Sequence, residues 1–384
     1  DLGYFHSEKT NICTPADSMN NFTVGAAADN IANGPFCGIA DGREFPSLFS
    51  RKGNIDLSLI FSRNKSNKNY FKPDVIESGG DLGYYNATSL DYMDDAMIDL
   101  ISARPEIGLF KDVGTSFSTP LVANIAAKIQ KQYPELHPQT IKALIINSAS
   151  LNKIPFDASV SKLKNRVAGH GYIDNFKSVF SNENSATLIL EDSISDDDLR
   201  VYPINFPKYL TETDLGKQNR ILKVTATLCF SFLPIKNNQL SYNPIHLAFS
   251  IFKNHEAEDI IKSNVEVDSK LKTGLTWSQN GRYKSKPIPY ANTQKLELNV
   301  NVSDLVNEEN TFKLAVHCLV TDQIIGELPA GYPKEFPFSL VINIEETTKN
   351  QTGLLYDEIQ VVNNLEVIGD LDADTTIEID SLDV

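Results

Sequence analysis

The run Gly114-Thr-Ser-Phe-Ser-Thr-Pro120 carries a serine to the point where a loop of small residues enters an apolar stretch, Leu121-Val-Ala-Asn-Ile-Ala-Ala-Lys-Ile129. A hydroxyl on the first turn of a helix lies beside unpaired backbone N–H groups and the positive end of the helix dipole. An oxyanion developing beside it is therefore stabilised. That is acyl-transfer chemistry, with Ser116 as nucleophile. The local pattern leaves a second role open, because serine is also a favoured N-cap. A serine hydroxyl is a weak nucleophile without a base, and the chain holds six histidines: His6, His137, His170, His246, His255 and His317.

Other chemistries lack their residues. His255-Glu256 has no second histidine four positions on, as a zinc-protease helix requires, and neither a phosphate loop of the Gly-x4-Gly-Lys type nor a Gly-x-Gly-x-x-Gly fingerprint occurs. No metal site is expected. Gly369–Asp380 is rich in carboxylates, and a structural Ca²⁺ loop is the alternative to a solvated acidic tail; the tail is preferred because no glycine stands at the turn position. No cofactor is expected.

The elements that must position Ser116 follow from periodicity. Phe22–Ala26 and Ile55–Phe61 read as strands, and Leu121–Gln132 and Pro138–Ser148 as helices. The first helix is apolar nearly all round and is expected to be buried. In the second, Pro138 suits the first helical position, and Ile141, Leu144, Ile145 and Ser148 share one face. Strand and helix alternating to about residue 180 predict an α/β layer with a parallel sheet. Beyond it, Leu222, Val224, Ala226, Leu228, Phe230 and Phe232 alternate with polar or small residues at the strand period of two. Similar runs at Ile245–Phe252, Leu296–Val302, Phe312–Val320 and Phe338–Ile344 predict an all-β sandwich of jelly-roll-like kind. The division is placed at 1–184 and 185–384, with Ser193–Leu199 as a boundary or surface loop. Ser89–Leu100 reads as an amphipathic helix with a solvated acidic face near the site entrance.

Bulk properties exclude several partners. Fifty acidic against thirty-five basic residues give a net charge of −15, which disfavours nucleic acid, since binding it rests on neutralising phosphates. No apolar run approaches the roughly 20 residues of a membrane span. Four cysteines without a Cys-x-x-Cys pair point to reduced, buried thiols and a cytoplasmic setting; secretion stays the alternative because the first residue is Asp1. Asn-x-Ser/Thr sequons at Asn21, Asn86 and Asn301 mean little without a secretion signal.

Several segments, in order, carry a family resemblance. Gly114-Thr-Ser-Phe-Ser-Thr-Pro120 resembles the Gly-Thr-Ser-x-x-x-Pro signature of the subtilisin-like serine peptidases, the subtilases. Lys72-Pro-Asp-Val-Ile-Glu-Ser-Gly-Gly80 is similar to their Lys-Pro-Asp-Val-x-Ala-Pro-Gly segment, with Glu77-Ser78 in place of Ala-Pro. Phe49-Ser-Arg-Lys-Gly53 resembles the Ser-x-x-Gly turn before it. Thr14-Pro-Ala16 with Val24-Gly-Ala26 resembles the Pro-Ala and Val-Gly-Ala run, and Gly169-His-Gly-Tyr-Ile-Asp174 the Gly-x-Gly-x-Val-Asp segment. The resemblance covers residues 12–180 and implies a partial subtilisin-like fold and a serine endopeptidase acting on peptide or protein substrates.

It also implies roles. Ser116 attacks the scissile carbonyl and its backbone N–H donates to the oxyanion, with Thr115 and Gly114 supporting that hole; Thr14, Pro15 and Ala16 flank the substrate pocket. In the family the acid and base precede the serine, and His6 alone does so here, too close to the Val-Gly-Ala run and without the His-Gly-Thr context. Asp1-Leu-Gly3 and Asp81-Leu-Gly83 echo the acid's motif by chance, and His170-Gly171 lies inside another match. The expectation is that the acid, the base and the oxyanion asparagine lie in a missing N-terminal half of the same protease. This chain alone would then be close to inactive, with an open sheet edge for that half to cover. The competing expectation is a non-catalytic binding module built from a degenerate subtilase half and a β-sandwich. The resemblance further admits an AAA-type ATPase as a partner.

Overall fold

The computed structural model describes residues 7–28, 37–38, 45–53, 72–86, 89–91, 96–104, 106, 108–151, 154, 164–212, 220–235, 243–253, 255–266, 291–305, 310–320, 330–363 and 366–367. Asp1–Gly3, His6, the strand expected at Ile55–Phe61 and the acidic run Gly369–Asp380 lie outside them.

Small and β-branched residues build the first strands: β1 (Val24–Ala27), β2 (Cys37–Gly38) and β3 (Val75–Ser78). β1 and β3 pair in parallel, Val24 opposite Val75 through Ala27 opposite Ser78, and Ile76 bridges onward to Tyr172. β2 joins β4 (Gly83–Asn86) and β5 (Ser89–Asp91) in an antiparallel sheet. The hairpin of β6 (Ile98–Ile101) and β7 (Leu109–Asp112) then leads through Val113 and Gly114 into helix α1 (Thr115–Gln132). Ser89–Asp91 and Ile98–Leu100 are thus strand in place of the helix expected there, and residues 92–95 lie outside the described residues. The β-branched Ile98 and Ile101 suit a pleated surface better than their acidic neighbours suggest.

Helix α2 (Pro138–Ser148) begins at the proline, as its sequence predicts, and α3 (Lys164–Ala168) follows. The burial of α1 and α2 is the reverse of the sequence reading. On α1 only Ser118, Val122, Ile125 and Ile129 are buried, while Leu121, Ala123 and Ala127 are exposed. One stripe of α1 packs on α2 and β3, and nothing among the described residues covers the other. α2, expected to bury one face, buries Thr140 and five consecutive residues, Ala143 to Asn147. It lies between two layers.

The second layer is antiparallel. β8 (Ser185–Ser195), β9 (Leu199–Asn205), α4 (Tyr209–Glu212), β10 (Leu222–Phe230), β11 (Ile245–Lys253), α5 (Ala257–Glu266), β12 (Thr293–Val300), β13 (Thr311–Val320), β14 (Glu335–Glu346), α6 (Leu355–Val362) and β15 (Glu366–Val367) follow in order. They form a five-stranded sheet, β12-β10-β14-β8-β15, and a three-stranded one, β11-β13-β9. The segment expected as a boundary at Ser193–Leu199 ends β8, turns at Asp196–Asp198 and starts β9. Its aspartates mark a turn between two strands, with Asp197 at φ 57°, a conformation aspartate tolerates better than most residues. Helices α5 and α6 stand where the helical signal of the sequence has faded.

The alternation read at Leu222–Phe232 has a structural reason on both sides. Val224, Ala226, Leu228 and Phe230 face one cluster with Leu247, Phe249 and Ile251 of β11, Leu314 and Val316 of β13, and Leu340 and Ile342 of β14. The two sheets share this core. From the opposite face of the five-stranded sheet, Ile189, Cys229 and Val341 join Val75, Val122, Ile125, Ala143, Leu144 and Ile146 in a second cluster. Each large aliphatic side chain so buried contributes about 2 kcal/mol.

Cys229 and Cys318 are buried, and burial pushes the Cys229 thiol up to about 12 and Cys318 higher still. Cys13, expected to be buried like the others, is exposed because it sits in the loop ahead of the Thr14–Asp17 turn. No helix among the described residues is long and apolar enough to cross a membrane.

Candidate active site

The loop after β3 supports the start of α1. Gly79 N–H donates to Ala27 O at 3.0 Å, and Gly79 O accepts Gly114 N–H at 2.9 Å. A Cβ on Gly79 would stand 2.5 Å from Ser118 Oγ, 2.6 Å from Ala26 Cβ and 3.0 Å from Gly114 O. No larger residue fits between the strand end and the helix. Ser47 Oγ donates to Gly80 O at 2.6 Å, and Asp81 Oδ1 accepts Leu48 N–H at 3.0 Å, which fixes the far side of the loop.

Gly114 is the N-cap of α1, without a side-chain capping bond, and Thr115 and Ser116 are its first two residues. The capping role left open for Ser116 therefore does not hold. Ser116 is exposed, on a first turn that lacks a capping side chain and any acidic residue. Gly114 O accepts Phe117 N–H at 3.0 Å, and Thr115 O accepts the Thr119 hydroxyl at 3.0 Å. Pro120 has no N–H to give Ser116 O, its partner four residues back. A Cβ on Gly114 would make ordinary contacts with Phe117 at 3.5 Å and Ser116 N at 3.7 Å, so of these two glycines the tight fit belongs to Gly79.

The other residues singled out from sequence lie elsewhere. Thr14, Pro15 and Ala16 form a turn in which Thr14 Oγ1 donates to Asp17 Oδ2 at 3.1 Å, Pro15 O accepts Asn21 Nδ2 at 2.7 Å, and Ala16 O accepts Thr23 Oγ1 at 2.6 Å. Thr23 enters β1, whereas Gly79 and Gly114 lie past its far end. The turn and the α1 N-terminus thus stand at opposite ends of a strand of four residues, about 13 Å long.

Beside that same N-terminal end sits a buried charge cluster. Lys72 Nζ lies 2.6 Å from Asp74 Oδ2 and donates to Asn21 O at 2.6 Å; Lys142 Nζ is 3.3 Å from Asp74 Oδ1, and Thr23 N–H donates to Asp74 Oδ2 at 2.7 Å. Burial alone would raise the Asp74 carboxyl, but the Lys142 and Lys72 ammonium groups and the Thr23 N–H hold it below the usual carboxylate range. Burial pushes Lys72 down to about 8 against the pull of Asp74. The Lys-Pro-Asp segment thus ties β3 to β1 and α2.

Gly169-His-Gly171 threads beside this cluster. His170 N–H donates to Asp74 O at 2.8 Å. Gly169, at φ +58°, could carry no Cβ, since the atom would stand 2.2 Å from Pro73 O. Burial pushes the His170 imidazole down to about 3, with the Lys295 ammonium adding to the effect. Tyr172 OH meets Ser78 Oγ at 2.8 Å. The remaining described histidines are engaged elsewhere: His137 with Glu191, its Nδ1 3.1 Å from Oε2, His317 with Asp197 at 3.7 Å, and His255 against the Phe252 ring, while His246 is buried in β11.

A family model described as the Subtilase family matches residues 4–172, the stretch that holds the Gly79 loop, the α1 N-terminus and the Gly-His-Gly segment. The chain carries a subtilase-like domain. Uncharacterized protein y4bN of Sinorhizobium fredii is 26% identical over 286 residues, covering 67% of this chain and 59% of that protein. The chain thus spans less than two thirds of that relative's length. Among solved structures, the infectious bursal disease virus VP2 subviral particle aligns over 44% of this chain and 34% of its own, at 13% identity and a TM-score of 0.25. Aeromonas hydrophila PliG, a periplasmic lysozyme inhibitor of g-type lysozyme, aligns over 42% and 88%, at 10% identity and a TM-score of 0.21. At such TM-scores these likenesses support no statement about this chain. What sequence reasoning missed in the subtilase-like domain is its support from outside: Glu191 and Lys295, both on the five-stranded sheet, touch α2. No motif marks them.

Proposed function

We propose that this chain is the nucleophile-bearing part of a subtilisin-like serine endopeptidase, followed from residue 185 by a β-sandwich made of the two sheets. The observation that carries the reading is the exposed Ser116 at the uncapped N-terminus of α1. Ser116 Oγ attacks a peptide carbonyl carbon while a base takes its proton. The carbonyl oxygen becomes an oxyanion facing the Ser116 backbone N–H and the positive end of α1. The tetrahedral carbon then expels the amine, which receives the proton, and water hydrolyses the acyl-enzyme. The base, its acid partner and a second oxyanion donor come, in this reading, from polypeptide beyond these 384 residues.

The binding-module reading is favoured by one observation, that every described histidine is engaged away from α1. A fluorophosphonate probe decides between them, since it bonds covalently to an activated serine. The full-length protein should be labelled, its Ser116→Ala variant should not, and the 384-residue chain alone should react far more slowly. An unlabelled full-length protein refutes the peptidase.

A further inference from the structure

Helix α2 is gripped at both ends by side chains of the five-stranded sheet. At its N-terminus Glu191 Oε1, from β8, accepts His137 N–H at 2.9 Å and the Thr140 hydroxyl, which also meets Ser339 Oγ of β14 at 2.7 Å. At its C-terminus Lys295 Nζ, from β12, donates to Ile146 O at 3.1 Å, Asn147 O at 3.0 Å and Ala149 O. Between them Asn147 Nδ2 donates to Thr225 O at 2.9 Å and to Val341 O at 3.1 Å.

The signs are complementary to the helix. A carboxylate sits where α2 leaves N–H groups unpaired and its dipole is positive, and an ammonium where carbonyls are unpaired and the dipole is negative. Lys295 has a side chain only 8% exposed, and its carboxylate neighbour Glu297 is 3.6 Å away. A buried ammonium adds little net stability over a well-packed apolar residue, and its better-attested use is to select one arrangement among several. Here the arrangement selected is the register of α2 on the sheet. α2 in turn packs Ala143, Leu144 and Ile146 in one cluster with Val122, Ile125 and Ile129 of α1.

We propose that Glu191 and Lys295 are positioning residues, a two-ended clamp through which the five-stranded sheet fixes α2 and, through it, the α1 N-terminus that presents Ser116. The consequence for reactivity rests on the nucleophile reading of Ser116; the clamp itself does not.

The test uses the full-length protein and two variants, Lys295→Ala and Glu191→Ala, the second also serving if the first does not fold. Amide hydrogen exchange is followed at residues 144–149 of α2 and its end and at 122–126 of α1, and fluorophosphonate labelling is followed per folded molecule. Exchange should rise at both helices, and labelling should slow by about tenfold or more. A cleft of about 600 Å³ lined by Asn147, Ala149, Lys223 and Glu297 borders the Lys295 contacts, so ethylammonium can enter the space left in Lys295→Ala. Labelling and protection should recover with ethylammonium and not with ethanol, which separates a positioning charge from bulk. Unchanged exchange, faster exchange at α2 without any at α1, or equal rescue by ethanol overturns the clamp. If the wild-type protein is not labelled, the nucleophile reading falls by itself, and exchange with amine rescue still decides the clamp.

Discussion

His170 predicts how this fold loses stability in acid. Its imidazole is buried near Lys295, Asp74, Lys142 and Lys72, and burial first, then the Lys295 ammonium, push it down to about 3 against the pull of the Asp74 carboxylate, from an unfolded value near 6.5. A group with a depressed folded value binds its proton in the unfolded chain first, so stability is full above pH 6.5 and falls as the pH drops towards 3. One unit of difference is worth about 1.4 kcal/mol, so linkage gives a loss of about 2 kcal/mol at pH 5 and about 3 kcal/mol at pH 4 relative to pH 7.5. Asp74 also destabilises on protonation, but its carboxyl is held below the usual range, so its loss comes at lower pH. The assay is urea unfolding at pH 7.5 and pH 5 for the wild-type protein and His170→Gln. The substituted amide does not titrate, and its fixed cost cancels in the difference between pH values. The wild-type protein should lose about 2 kcal/mol more than the variant on acidification. Equal losses, or an imidazole resonance titrating near 6.5 in the folded protein, would refute the buried neutral histidine.

Two further predictions concern the supports of the site. Asp74→Asn removes the carboxylate shared by Lys72 and Lys142 and leaves the buried Lys72 ammonium facing the partly buried one of Lys142, so a loss of about 3 kcal/mol is expected; a thermal midpoint near that of the wild type would show the cluster to be hydrated. Gly79→Ala puts a methyl 2.5 Å from Ser118 Oγ and 3.0 Å from Gly114 O. A cost of about 1–3 kcal/mol should come with slower fluorophosphonate labelling, because relief of the clash displaces the Gly114 turn; unaltered labelling kinetics would show that this turn does not set Ser116.

The sequence made some elements legible for identifiable reasons. Pro138 announces the start of α2, and the period of two at Leu222–Phe230 marks a strand whose two faces meet different partners. The Gly-Thr-Ser and Lys-Pro-Asp segments are local, and a local word can be read from one chain. Burial of the helices could not be read the same way. The alanines of α1 look like core, yet Ala123 and Ala127 face outward, while the moderately amphipathic α2 is enclosed because the five-stranded sheet covers its second face. Whether an apolar face is covered depends on elements distant in the chain, and periodicity carries no record of them. Glu191 and Lys295 are ordinary charges in ordinary strands until α2 is docked between them.

That docking bears on how the two halves of the chain depend on each other. The face of the sheet under α2 presents Ile189, Cys229 and Val341, flanked by Glu191 and Ser339 at one end of the helix and Lys295 at the other. Stripped of α2, this face would expose its apolar centre and leave a lysine and a glutamate without the helix ends they serve. Stripped of the sheet, α2 would leave the Thr140 hydroxyl and the Asn147 amide without their partners on one side while still holding α1 on the other. Parts of independent stability have no reason to put a buried ammonium from the sheet into the helix end and a buried amide from the helix into the sheet, since unpaired groups of that kind are costly in either part alone. The sheet thus acts as the second wall of the layer that carries Ser116, and the cluster in which Ile189, Cys229 and Val341 meet Val122, Ile125 and Leu144 draws on residues from both sides of position 184.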